Sequence, residues 1–583
     1  MGAFIRSRIA VLMLLFFMGF MLSAENSKAQ TRSYHYEYSD SLSQGENVAN
    51  LGDAIFGENV SYVEGAINFS VTDVNVKTRA KLPLTFGRKL EFRDDMSDAN
   101  TREEFYKFLL LGNWGYPEVP VMRGYYPDND GFLTGARTRC SSGSVAATAI
   151  PYPGGPPIFA FNFWYGFRVS IPGYGSGNVE KLTPEIILPT DGASYKLATL
   201  DGWRISCLGS IKNGAGEGFV VLLPDGAKYY FDWMVKRRVK DLSTPYAPIK
   251  RYEVFMFATK AVDRFGNSIV YEYDQTNQMR INKIEASDGA SILINYNQNG
   301  WISSVTAGSQ VWQYSYTTNP DNGYPTLREV VLPDQSRWKY ENPTYAYGDL
   351  SPDLSPFGQD CNYDPGRDTS SGDGAVSVHR MTHPSGAIGE FYYKAIAHGY
   401  NNVPMPLCNS DGLHPLIGRP KAVLRGSMIS KKIYGPGVAP MEWKFTYAPS
   451  WSFEWECANG CPNTSTTTVT SSLGKTETYV FGNDFKSNAN QLLSYTVSQE
   501  GRVLKRAVNT YLSSASSQPF PDYVVGYIGD NVSETLDNPF FRKNRPLVKQ
   551  EIYQDGVIFT RHIDEFDRFV RPVRSTLSSA LTP

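Results

Sequence analysis

A tyrosine recurs through the middle of the chain. Tyr230, Tyr252, Tyr273, Tyr296, Tyr316 and Tyr340 lie 22, 21, 23, 20 and 24 residues apart. A fixed period above about 20 residues restricts the fold more than any other feature here. Each unit is too small to bury its own apolar face, so neighbours must stack to do it. Several units open on a turn and close on a short aromatic strand. Pro224-Asp225-Gly226 leads to Tyr229-Tyr230-Phe231-Asp232, and Asp263-Arg264-Phe265-Gly266-Asn267 leads to Tyr271-Glu272-Tyr273-Asp274. Asp288-Gly289 leads to Ile292 and Tyr296, and Pro333-Asp334-Gln335 to Trp338-Lys339-Tyr340. Tyr252 and Tyr316 keep the period without such a turn. The six tyrosines are therefore expected to be core or inter-strand packing residues.

The rest of the chain fits an all-β reading. Aromatic residues are 14% of the sequence, with 51 Gly and 36 Pro to cut strands with turns. Ile67-Asn68-Phe69-Ser70-Val71 alternates as a half-buried strand does. One helix is predicted near 101–111, where Thr101 and Glu104 make a capping box, Phe105, Phe108 and Leu109 share a face, and Gly112 stops the run. The domains expected are a signal peptide over 1–29, an N-terminal β-rich domain over 30–215, the repeat region over 216–345, a linker or insertion over 346–379, and a second, looser repeat-like region over 380–583.

At Asp263 to Val305 the chain resembles the RHS, or YD-repeat, family. Asp-Arg-Phe-Gly-Asn, Tyr-Glu-Tyr-Asp and Ile281-Asn282-Lys283-Ile284 look like that family's turn, strand and following strand. Gly65 to Phe69, Thr72-Asp73, Leu82-Pro83-Leu84 and Arg88 are similar to its N-terminal segment. The likeness covers 60–345 well and 380–575 loosely. It implies β-sheets spiralling into a large hollow shell, closed or open at one end, which in several relatives encloses a C-terminal toxin. Those relatives carry a self-cleaving core motif. Here Tyr363-Asp364-Pro365-Gly366-Arg367 mimics a fragment of it in mid-chain and reads as a turn, so self-cleavage and toxicity are not carried over.

Arg6 and Arg8 precede an apolar run from Ile9 to Leu22, and Ser27-Lys28-Ala29 offers small residues around a cleavage point. This is the pattern of a secretory signal peptide, with an apolar run short of the roughly 20 residues that span a bilayer. A secreted, periplasmic or cell-surface protein without a transmembrane anchor after cleavage is expected. Export makes Cys140, Cys207, Cys361, Cys408, Cys457 and Cys461 disulfide candidates. Six cysteines allow 15 pairings, and sequence does not choose among them, although Cys457 and Cys461 are spaced to close a small loop.

The chemical motifs are sparse. A net charge of -2 argues against a general nucleic-acid binder. No Gly-x-Ser-x-Gly nucleophile turn occurs. Gly173 to Gly177 and Gly214 to Gly218 read as hairpin loops, not phosphate cradles, because neither opens a helix. His379 and His383 have the i, i+4 spacing of a helical zinc pair. On the strand predicted here that spacing is about 13 Å, too far to share one ion. Asp128-Asn129-Asp130-Gly131 copies part of a calcium loop but lacks the distal Glu, so a tight turn is the better reading. Asp94 and Asp95 are adjacent, and on a strand they would point to opposite faces. No cofactor is expected. The sequence therefore points to a non-enzymatic β scaffold that encloses or presents another polypeptide, as cargo or toxin. A cell-surface adhesin that binds glycan is the alternative, and a hydrolase within 380–583 is a third reading that no motif supports.

Overall fold

The computed structural model describes residues 54–582, except 80–81, 92–107, 116–118, 150–163, 165, 183–187, 243–248, 320–322, 342–375, 403–406, 409–414, 418–421, 449–460, 485–486 and 523–543. The expected signal peptide and most of the segment expected to be helical near 101–111 fall outside the described residues. The architecture is all-β. It combines one antiparallel sheet of some 27 strands with a three-stranded sheet and one described helix of a single turn.

Strands β1 (Glu58–Val60), β2 (Ile67–Val76) and β3 (Leu84–Glu91) form the small sheet. The large sheet starts at β4 (Val121–Pro127), followed by helix α1 (Gly131–Thr134). Next come β5 (Phe167–Ile171), β6 (Gly175–Asn178), β7 (Glu180–Lys181), β8 (Tyr195–Ala198), β9 (Arg204–Leu208), β10 (Gly218–Leu222), β11 (Lys228–Leu242) and β12 (Ile249–Val262). The sheet forks at β12. One edge of β12 pairs with β11, while along the other Arg251–Phe257 pair with β4 and Lys260–Val262 pair with the next strand, β13 (Ser268–Tyr273). The N-terminal region and the repeats are thus joined in one hydrogen-bonded sheet.

From β13 the chain is a simple meander: β14 (Ile281–Ala286), β15 (Ser291–Tyr296), β16 (Ile302–Ala307), β17 (Gln310–Thr318), β18 (Pro325–Val331), β19 (Arg337–Glu341), β20 (Ser377–Thr382) and β21 (Ile388–Gly399). A side pair, β22 (Leu407–Cys408) with β23 (Pro415–Ile417), interrupts it. The meander resumes with β24 (Ala422–Gly435), β25 (Val438–Ala448), β26 (Thr464–Ser471), β27 (Lys475–Gly482), β28 (Leu492–Gln499), β29 (Arg502–Tyr511), β30 (Leu547–Gln554), β31 (Val557–Phe566) and β32 (Pro572–Leu581). The segment expected as a linker or insertion does not break the ladder, since Tyr340 on β19 pairs directly with Met381 on β20.

The turn chemistry explains why the repeats fold back so tightly. At Asp263–Asn267 the aspartate accepts from the backbone N–H of Phe265 and Asn267, and the amide of Asn267 bonds its other oxygen. Gly266 sits at φ +89°, which a residue without Cβ adopts freely. At the far end of each hairpin the ladder slips by one residue just before Tyr273, Tyr296 and Tyr316. Such bulges redirect a side chain and leave backbone groups unpaired. Here the tyrosine hydroxyl donates to the carbonyl of the neighbouring strand: Tyr273 to Ala258 at 2.9 Å, Tyr296 to Ile281 at 2.8 Å and Tyr316 to Ile302 at 2.5 Å. Three of the six periodic tyrosines make this stitch, whereas the hydroxyl of Tyr340 accepts from Arg88. Tyr273 and Tyr340 are buried, whereas Tyr296 and Tyr316 are half-buried. Tyr230 and Tyr252 are half-buried too, but the first lies between buried Tyr229 and Phe231, and the second lies under the ammonium of Lys236.

Candidate functional site

The meander from β11 to β32 has two unlike faces. Following paired residues across the ladder puts Tyr314, Trp338, Tyr340, His379, Phe391, Lys431, Trp443, Tyr447, Thr467 and Tyr479 on one face. Over β26 to β28 the other face carries Thr466, Thr468, Thr470, Thr476, Thr478 and Thr496. The apolar face is covered by a strap formed from residues 56–91.

The strap crosses the strands and contacts their apolar face one after another. At one end the backbone N–H of Arg79 donates to Asp288 in the β14–β15 turn, at 2.8 Å. In the middle, Phe69 packs edge-on to Phe391 and lies 5.4 Å from the ring of His379, and Phe56 meets Trp338, His383 and Phe391. Ser427 donates to the carbonyl of Glu64, and Gly65 lies so close to Tyr447 that a Cβ there would clash with its hydroxyl. At the far end Tyr62 stacks on Tyr479 with ring centres 4.1 Å apart.

One buried ion pair joins this strap to the sheet, and a second, within the strap, bonds two tyrosines of the sheet. Arg88 on β3 is fully buried, donates to Asp73 at 2.8 Å and to the hydroxyl of Tyr340, and lies near the rings of Trp114 and Trp338. Tyr314 donates to the same carboxylate at 2.9 Å. Burial opposes the Arg88 charge, but Asp73 more than restores it, so the guanidinium stays above its ordinary value. Glu58 on β1 accepts from Lys431 on β24 at 2.9 Å. Burial raises the Glu58 carboxyl, and the lysine offsets this only in part. His379 is buried with neither ring nitrogen hydrogen-bonded, and desolvation lowers it to about 4.

Beyond β27 the same face goes on, and among the described residues the strap does not follow it. The register continues it through Tyr495 and Val497 on β28, Ala507 on β29, Ile552 on β30, Phe559 on β31, and Leu577 and Leu581 on β32. Phe559 is 48% exposed, Leu577 53% and Leu581 81%. A satellite core of Ala515, Phe520, Ile563 and Phe566, with Leu512, Val548 and Val570 against it, covers one margin of this area. The remainder is a mixed surface, in which Phe559, Leu577 and Leu581 stand exposed among Lys505, Gln550, Arg561, Ser575 and Ser579 of the same face.

The residues singled out in the sequence lie elsewhere. Cys140 and Cys207 form a disulfide, with Cα atoms 5.5 Å apart. It is anchored by the carboxylate of Glu217, which accepts from the backbone N–H of Cys140 and Ser141. Cys461 is also disulfide-bonded. Cys361 and Cys457 lie outside the described residues, and Cys408 is on β22. The segment from Asp128 is the tight turn expected, closed by the Asp130 N–H on the carbonyl of Pro127, and Asp130 also caps α1 through the N–H of Phe132 and holds Arg137 and Thr148. His379 and His383 face strap aromatics, not a common ion. Gly173 to Gly177 make the β5–β6 hairpin, and Gly214 to Gly218 lead into β10. Asp94, Asp95 and residues 363–367 lie outside the described residues. Among the described residues no three His, Cys, Asp or Glu side chains gather as metal ligands. Comparison of the chain with protein-family models and with curated proteins finds no match.

Sequence reasoning missed both the strap and the bare face. The available signal was the alternation of residues 67–71, which does not say what lies across a sheet.

Proposed function

We propose that the chain is an exported, non-enzymatic β scaffold of the YD-repeat kind, whose sheet curls as a spiral or shell and holds another polypeptide. The observation that carries this reading is the bare continuation of the strap face over β28 to β32. On the covered strands, this face binds extended polypeptide by aromatic stacking and a buried ion pair, as between Tyr62 and Tyr479 or Glu58 and Lys431. On β28 to β32 it presents Tyr495, Ile552, Phe559 and Leu577, with Lys505 and Arg561 beside them. A second length of extended chain would bury the same kind of surface there. The Cys140–Cys207 disulfide supports export, since such bonds persist in oxidising compartments.

A second reading, a surface adhesin for glycan, draws on Phe265. It stands 65% exposed at a turn tip, with Arg264 over its ring. Aromatic rings of that exposure stack on sugars.

The two readings separate by photo-crosslinking in the native host. A crosslinking amino acid at Phe559 probes the strap face, and one at Thr560 probes the opposite face of the same strand. The scaffold reading expects one defined polypeptide adduct from position 559 and none from 560. No adduct at 559, together with glycan binding lost on Phe265→Ala, would replace it with the adhesin.

A further inference from the structure

Three histidines gather beneath one stretch of the strap. Of the described histidines, only His562, on β31, lies elsewhere. His379 on β20 lies 5.4 Å from the ring of Phe69, and His383 in the β20–β21 turn lies 6.1 Å from that of Phe56. His398 on β21 reaches the strap through a serine. Ser427 donates to the carbonyl of Glu64 at 2.6 Å, so its oxygen accepts from Nε2 of His398 at 2.8 Å.

None of the three is set up to carry a second proton while the strap is down. His379 is wholly buried with neither ring nitrogen hydrogen-bonded. Nδ1 of His383 accepts from the backbone N–H of Ser385 at 3.1 Å, a bond that protonation removes. His398 gives its Nε2–H to Ser427 and meets the Tyr447 ring edge-on at 5.5 Å. The neighbours do not balance a new charge. β19 and β21 bring Tyr340 and Tyr393 to the face of His379, and burial raises both hydroxyls. The charges flanking it come already paired, Arg88 with Asp73 on the β19 side and Glu58 with Lys431 on the β24 side. His383 meets Phe56 and Trp338. Above His398 the strap carries Tyr62 and Glu64, and burial together with the Glu64 carboxylate raises Tyr400. Burial lowers all three histidines, His379 and His398 to about 4, and among the described residues no carboxylate counters it.

We propose that the strap is an acid-released latch: as His379, His383 and His398 take up protons, residues 56–69 leave the sheet and bare the aromatic face beneath, while the rest of the fold stays. Histidine clusters at an interface act in this way when the interface has two states. A base lowered in the latched state binds protons more tightly once released. The latch is therefore intact above pH 6.5 and weakens as pH falls from there towards 4. By pH 5 each of His379 and His398 shifts the balance about 30-fold towards release. Glu58 acts in the opposite sense, since a carboxyl raised by burial holds the strap better as pH falls. It is one group against three. The Arg88 end has no histidine against it, and its guanidinium is held above its ordinary value, so that end stays fastened. Local opening of this kind needs less free energy than global unfolding, because the hairpin ladders remain paired.

Hydroxyl-radical footprinting of the full chain, read by mass spectrometry at steps from pH 7.5 to 4.5, tests this. Far-UV circular dichroism follows the sheet in the same samples. Labelling of Tyr62, Phe69, Phe391 and Tyr479 should rise together below pH 6, by about fivefold or more by pH 5. Tyr126 and Phe132, buried against each other near α1, should stay protected, and the sheet signal should hold. His379→Phe combined with His398→Gln, which keeps a donor for Ser427, should move the rise down by about one pH unit or more and make it shallower. His379→Phe alone, whose ring suits the same apolar place, should move it part of the way. Strap labelling unchanged down to pH 5 overturns the latch. A rise shared by Tyr126 and Phe132 with loss of the sheet signal also overturns it, since that is global unfolding. So does a rise that neither variant moves.

Discussion

The meander contains one experiment done twice. Over β13 to β27 its apolar face lies under a strap. Over β28 to β32 the same face, continuous in register, has no strap across it among the described residues. On β20 and β21 the covered side chains His379 and Phe391 are wholly buried, whereas on β31 and β32 their counterparts Phe559 and Leu577 are about half exposed. The strap lies above the first set, and the strands differ too, since the second set carries Lys505, Arg561, Ser575 and Ser579 on that face. Antiparallel hairpins with well-made turns can extend a ladder without a finished core, and the core is supplied by whatever is laid across them.

The largest expected effect of that difference is on stability. Arg88→Met leaves Asp73 buried without its partner, which costs about 3–5 kcal/mol when one member of a buried pair is removed. Phe69→Ala opens a cavity against Phe391 at a similar cost, about 3–5 kcal/mol. Urea melts of the purified protein measure both. If either variant melts like the parent, the strap is not fastened as the contacts imply and the comparison fails.

The next largest effect is acid sensitivity, and it too belongs to the covered region. His379 is lowered from 6.5 to about 4 by burial. A base depressed in the folded state binds protons more tightly when unfolded. Its contribution is therefore intact above pH 6.5 and is lost as pH falls from there towards 4. Full loss is about 3 kcal/mol. Glu58 opposes this, since a carboxyl raised by burial stabilises the fold less as pH rises. Only the difference between parent and variant isolates the histidine. His379→Phe should flatten the stability slope between pH 6.5 and 4 by melts at stepped pH. An unchanged slope would mean the ring is hydrated in solution.

How much of this was legible beforehand depends on range along the chain. The tyrosine period was visible because turn and stitch are both local. Tyr296 reaches Ile281 across one hairpin. The strap was not, since its contacts join residues far apart: Arg88 to Tyr340 and Glu58 to Lys431. Alternation at Ile67 to Val71 reports that a strand has an apolar face, not which partner meets it. The disulfide pairing was hidden for the same reason, because Cys140 and Cys207 are 67 residues apart. The face over β28 to β32 was the least legible, since apolar and polar residues such as Phe559 and Arg561 share it and give no clean alternation.

A smaller effect sharpens the comparison at the turns. The β18–β19 turn holds Gln335 at φ +69°, and the β31–β32 turn holds Val570 at φ +65°, the place where Gly266 stands in the β12–β13 turn. Gln335 is exposed and gains nothing visible from its strain, so Gln335→Gly should stabilise by about 1 kcal/mol. Val570 packs on the satellite core beside Phe566. Val570→Gly relieves strain of similar size but surrenders that packing, and its net effect should fall near zero. Thermal melts of the two variants compare them directly. A clear gain at Val570 would mean the satellite core contributes little, and the open region would then be barer than its burial suggests.

The smallest expected effect is the most informative. Phe559→Ala and Leu577→Ala remove large apolar side chains, yet each should shift stability by no more than about 0.5 kcal/mol, because exposed side chains have little burial to lose. Side chains of the same kind beneath the strap cost several times more. Were Phe559→Ala to cost as much as Phe69→Ala, part of this chain would already cover the face in solution. If it does not, the face is available, and a partner added in excess should restore a large Phe559→Ala penalty by stabilising the parent and not the variant.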